Sequence, residues 1–125
     1  MNIEIIANDY DLKIIYIDSL DDTSIDKNFY GKNQCFLADG QIYVGIYDDE
    51  EKKLISIFHE IGHAFLTKYE TEKYKYIPLL CELACWRIGI DIAIEKYNYY
   101  FSDETIVWAY SQAFTYKEEK ERNMK

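Results

Sequence analysis

The sequence predicts an α+β domain in which a small sheet of about three strands packs on one long helix, with two further helices closing the core. Three observations predict it. Short β-branched and aromatic runs broken by turn residues fill residues 13–46, a helical period takes over near residue 49, and Pro78 and Ser102 stand at the starts of two more helices. At 125 residues the chain is a single domain's worth, 1–125, large enough to bury a modest core without disulfides.

Residues 2–10 fit a short helix or a strand equally well. "KIIYID" at 13–18 is β-branched and aromatic, hence a strand, and the polar "SLDDTSIDKNFYGKN" after it is a loop. "QCFLADGQIYVGI" holds two short apolar runs around Asp39-Gly40, a dipeptide suited to the positive φ angles of a two-residue hairpin turn. If "QIYVGI" lies on the sheet edge, it offers main-chain pairing to an extended peptide.

In "YDDEEKKLISIFHEIGHAFLTKY", Asp48 and Glu51 stand as N-cap and N3 partner of a helix over about 49–68. Its apolar arc is Leu54, Ile57, Phe58, Ile61, Phe65 and Leu66, and His59, Glu60 and His63 run along one border. Gly62, costly inside a helix, predicts a close approach by another segment. Pro78 suits the first position of a second helix through about residue 96. Ser102 N-caps a third, which buries Ile106, Ala109, Tyr110, Ala113 and Phe114; the tail 117–125 continues it as a solvated end or frays.

The net charge of −9 argues against a surface that neutralises phosphates and is unfavourable for anionic membranes, so no direct nucleic-acid or membrane partner is expected and a basic protein suits better. Cysteines number three, an odd count, with Cys81 and Cys85 four apart in a helical stretch, so a reducing compartment is expected instead of a disulfide framework. "MNIEIIANDYDLK" carries Glu4, Asp9 and Asp11 where a signal peptide has a basic region and an apolar run, and no apolar stretch is long enough to span a bilayer. A soluble, cytoplasmic protein is expected.

The chain owns two histidines, His59 and His63, and Glu60 follows the first. On a helix, i and i+4 share a face, so both imidazoles can converge on one ion at roughly 2.0–2.1 Å. Glu60 lies about 100° round from His59, too far to be a natural ligand but suited to act as general base on a zinc-bound water. A third ligand must come from elsewhere. On the following helix Arg87, Asp91 and Glu95 form a polar stripe, whereas Glu82 lies nearly opposite among Leu79, Trp86, Gly89 and Ala93. An unpaired buried carboxylate costs several kcal/mol, so Glu82 is expected to meet a cation, completing a His59, His63 and Glu82 zinc site with the fourth position open.

The layout of "GQIYVGIYDDEEKKLISIFHEIGHAF", followed by "LLCELACW", resembles the ImmA/IrrE family of minimal gluzincin-type metallopeptidases and its small phage-encoded relatives, over about residues 33–92. The resemblance implies a minimal zincin-like fold, with Zn²⁺ on His59, His63 and Glu82 and Glu60 as catalytic base. It also implies cleavage of a protein or peptide substrate, known members acting on helix-turn-helix repressors. The chain lacks the family's Glu-Ala-Asn style signature, and at 125 residues it is not expected to hold a separate substrate or sensor domain.

Other readings compete. A closed zinc site of His59, His63, Cys81 and Cys85 would make the protein a non-catalytic binding module, but it leaves Glu82 unexplained. Otherwise the two cysteines are small buried apolar residues. Glu82 paired with Arg87 would need no metal, although Arg87 projects from the other side of its helix. Tyrosines such as Tyr110 and Tyr116 suit an oxyanion donor, but among 13 tyrosines packing is the commoner role. The acidic charge could itself mimic nucleic acid toward a basic partner.

Overall fold

A computed structural model describes residues 1–17, 33–69 and 77–123. The order is α1 (Ile3–Asp9), β1 (Lys13–Tyr16), β2 (Cys35–Ala38), β3 (Gln41–Val44), α2 (Glu50–Tyr69), α3 (Pro78–Tyr97) and α4 (Asp103–Asn123). The class is α+β, as expected, with one helix more than the three assigned from sequence. The loop expected at 19–33 lies, except for Asn33, outside the described residues.

At the N-terminus the ambiguity resolves as a helix, because the Asn2 side chain accepts hydrogen bonds from the amides of Glu4 and Ile5 and caps α1. Ile6 and Ala7 are its buried face. The hairpin forms as expected: Asp39 and Gly40 have φ of 51° and 74°, the two positive values of a tight β2–β3 turn.

The sheet is mixed, in the order β1-β3-β2, with β1 parallel and β2 antiparallel to β3. This corrects the expectation for "QIYVGI". Gln41–Val44 is the central strand, with both rows of main-chain groups already paired, and cannot take an added peptide. Among the described strands, β1 and β2 are the edges. Ile42 and Val44, both fully buried, project from β3 into the core.

The helix α2 is capped one residue later than expected. The Asp49 carboxylate, not that of Asp48, accepts from the Lys52 amide at 3.0 Å. Glu51 does not close a capping box: its carboxylate accepts from both the amide and the hydroxyl of Ser102 at 2.8 Å, where α4 begins with unsatisfied amides. Ser102 is the expected cap, its hydroxyl accepting from the Thr105 amide at 3.2 Å. Pro78 opens α3, and Asn98 ends it in the left-handed region at φ 53°, with the Tyr99 amide donating to the Ala93 carbonyl.

In place of one apolar arc, α2 is enclosed on nearly every side over residues 55–62, because the sheet, α3 and α4 all pack on it. Ile55, Ile57, Phe58 and Ile61 are inaccessible to solvent. The closest packing is with α3. A Cβ on Gly62 would collide with the Cys85 carbonyl oxygen and sit 3.2 Å from the Gly89 amide nitrogen, and a Cβ on Gly89 would collide with the Phe58 carbonyl oxygen. Two glycines facing each other's helix therefore let the backbones touch.

On α4 the buried seam runs through Thr105, Ala109 and Ala113, one turn apart. Ile106 and Tyr110 are half-buried beside it. Phe114 was expected inside, but it lies about 100° round from Ala113 and is 52% exposed. No described helix is long and apolar enough to cross a membrane.

Candidate metal centre

The contact of Gly62 with α3 does more than pack two helices. It sets the α2 turn that carries His59 and His63 directly against the α3 turn that carries Glu82, Cys85 and Trp86. His59 and Glu60 are each 8% exposed, so the polar groups are held inside the packing instead of extending into solvent.

The three expected ligands meet. Glu82 divides its carboxylate between the histidines, Oε2 standing 3.1 Å from His59 Nε2 and Oε1 3.1 Å from His63 Nε2. A zinc ion with bonds of roughly 2.0–2.1 Å has ligand-to-ligand edges of about 3.3 Å in a tetrahedron. The donors thus stand close to the spacing that such an ion needs, all within 4.8 Å of one another. Arg87 does not compete: it faces Asp91 at 3.8 Å on the exposed side of α3.

Electrostatics say the same from the other direction. Burial opposes charge on His59, yet the carboxylates of Glu60, whose Oε1 is 3.5 Å from Nδ1, and of Glu82 outweigh it and push the imidazole up to about 9. Burial likewise works against a charged Glu82, and hydrogen bonds and charge from His59 and His63 reverse it, holding the carboxyl far below the usual range. Without metal, a proton on the His59 imidazole offsets the carboxylate charge beside it. A divalent cation at the same point would take over that role and release protons.

A sulfur-bearing group adjoins the first. Cys85 Sγ lies 3.3 Å from His63 Nδ1, and His63, Cys81 and Cys85 form a second set of possible donors. The closed set of His59, His63, Cys81 and Cys85 considered from sequence is not assembled as one group among the described residues: the two donor sets share only His63. Burial pushes the Cys85 thiol up, which keeps it neutral.

Trp86, one turn beyond Glu82, stacks on His59 with ring centroids 3.8 Å apart and planes 5° apart, and meets Trp108 of α4 edge-on. The stack fixes the imidazole plane. Helical spacing already placed Trp86 on the Glu82 face, but gave no sign of its ring partner.

A cleft of about 230 Å³ opens on these groups, with His59, Glu60, Glu82 and Trp86 on one wall, Asn33, Gln34, Cys35 and Tyr47 on another, and α4 residues including Trp108 and Gln112 closing it. Glu60 therefore faces the same space as the ligands. Tyr47 was not singled out by any sequence signal; its hydroxyl donates to Cys35 Sγ at 3.5 Å. Tyr110 is not part of the lining, and the side chain of Tyr116 lies outside the described residues.

Comparison of the chain with protein-family models, with curated proteins and with solved structures returns no match.

Proposed function

We propose that the chain is a zinc-dependent peptidase with a minimal zincin-like fold, related in its motif to the ImmA/IrrE type. The observation that carries the reading is the half-buried Glu82 carboxylate on α3, whose two oxygens each stand 3.1 Å from a different imidazole on α2. With His59 and His63 it brings three possible metal donors to one point beside an open cleft. His59, His63 and Glu82 would hold the ion. When bound, zinc supplies Lewis acidity, lowering the pKa of water toward about 7 and polarising a carbonyl.

The chain's own groups divide the remaining work. Glu60, on the cleft wall and outside the ligand set, accepts a proton from water and returns it to the leaving amine. Trp86 keeps the His59 ring in plane. Tyr47 is the hydroxyl donor on the opposite wall, suited to an oxyanion because its present acceptor is a weakly accepting sulfur.

The cleft volume of about 230 Å³ is below the roughly 300–1,000 Å³ of small-molecule pockets, which favours a polypeptide crossing it over an enclosed metabolite. The net charge of −9 favours a basic protein, such as a repressor-like regulator. The test is Glu60→Gln, with zinc content and cleavage of an unstructured basic protein both measured. Zinc retained with cleavage lost supports the reading; zinc retained with wild-type cleavage ends it.

A further inference from the structure

His63 is the only residue common to the two donor sets, and it offers each a different atom. Nε2 faces Glu82 Oε1 at 3.1 Å, and Nδ1 faces Cys85 Sγ at 3.3 Å. A neutral imidazole has one lone pair, on whichever ring nitrogen is not protonated. Presented at Nε2, that lone pair completes the set with His59 and Glu82; presented at Nδ1, it completes a set with two sulfurs. The two sets also differ in chemistry. One is nitrogen and carboxylate oxygen, suited to zinc; the other holds two potential thiolates, which also accept zinc but suit soft cations such as Cu(I), a class that the carboxylate-bearing set does not favour.

We infer that Cys81, Cys85 and His63 Nδ1 form a second metal site, for a thiophilic cation of the Cu(I) class, whose occupation excludes zinc from the His59, His63 and Glu82 site. Cys81 and Cys85 lie one turn apart on α3, so their sulfurs project toward the same side as His63. Binding there converts both thiols to thiolates, each releasing its proton to solvent as sulfur bonds the cation. The buried Cys85 is reached from the side of Cys81 and His63, which are both partly exposed. The existence of the sulfur site is independent of the peptidase reading, whereas its effect as an inhibitor rests on that reading.

The experiment is anaerobic competition for Cu(I) against a coloured Cu(I) chelator, with full-length folded protein. Wild type and Glu82→Gln are each expected to withdraw one Cu(I) per chain. Cys81→Ser, at a partly exposed position, is expected to bind at least about tenfold more weakly, as is Cys85→Ser if it folds. Wild-type Cu(I) retention in Cys81→Ser, which keeps Cys35, overturns the site. Copper-loaded wild type is then titrated with zinc: affinity lowered at least about tenfold supports exclusion, and unchanged affinity overturns it. Glu82→Gln separates the two readings, since wild-type zinc affinity in that variant defeats the peptidase ligand set and leaves the copper result standing.

Discussion

Gly62→Ala should damage both the fold and the site, although alanine is the better helix former. In an exposed helix the change would gain about 1 kcal/mol. Here the new Cβ collides with the Cys85 carbonyl oxygen and lies 3.1 Å from its carbon and 3.2 Å from the Gly89 nitrogen, all backbone atoms that cannot rotate away. Relief requires α2 and α3 to separate by more than about 1 Å before the new Cβ regains contacts of roughly 3.5–4.0 Å. Overpacking of this kind costs about 1–3 kcal/mol or more, and the lost packing of neighbours such as Phe58 and Trp86 adds to it, leaving a net destabilisation of about 2 kcal/mol. With a urea m-value of about 2 kcal/mol/M, the unfolding midpoint falls by about 1 M. The same separation draws Glu82 off its 3.1 Å contacts with the imidazoles, so zinc affinity should drop with stability. Urea denaturation with and without zinc measures both. A midpoint unchanged or raised in Gly62→Ala would refute the close crossing, and with it the account of how Glu82 reaches the histidines.

Glu82→Gln should fold but lose zinc-dependent stabilisation, which in wild type reaches about 2.7 kcal/mol when free zinc is 100 times its Kd; thermal unfolding with and without zinc reads it. Ser102→Ala removes the α4 cap and a partner of Glu51, and should cost about 1 kcal/mol in denaturant titration. The hydroxyl of Thr105, with the amide and hydroxyl of Ser102, holds the Glu51 carboxyl below its usual range. Its folded pKa being the lower one, that contribution is full above the unfolded carboxylate value and disappears as pH falls through the folded value; Ser102→Ala should lose less stability across that acid window than wild type does. Tyr47→Phe should keep zinc and substrate binding while lowering kcat by about 100-fold, and an unchanged kcat would remove Tyr47 from the oxyanion role.

What the sequence revealed of this site was what local spacing encodes. Histidines four apart must share a helix face, a carboxylate among Leu79, Trp86 and Gly89 must point inward, and a glycine in mid-helix must have a neighbour. Asp39-Gly40 specified its turn for the same reason. Long-range pairing was hidden: nothing near Gln41–Val44 says that Lys13–Tyr16 will pair along its other side, so a central strand reads like an edge. Adjacent Asp48 and Asp49 are equivalent caps on paper, and the choice fell to Asp49 once Glu51 was drawn to Ser102. The division of His63 between Glu82 and Cys85 was also beyond sequence, since it depends on which ring nitrogen meets which helix turn.

The central claim is that one divalent ion sits between α2 and α3 with a face left open to the cleft. Zinc-edge anomalous diffraction from crystals grown with equimolar zinc tests it most directly. A single peak bonded to Nε2 of His59, Nε2 of His63 and the Glu82 carboxylate is the expected result. A peak bonded to the sulfurs of Cys81 and Cys85, or no peak in well-ordered crystals, would contradict it.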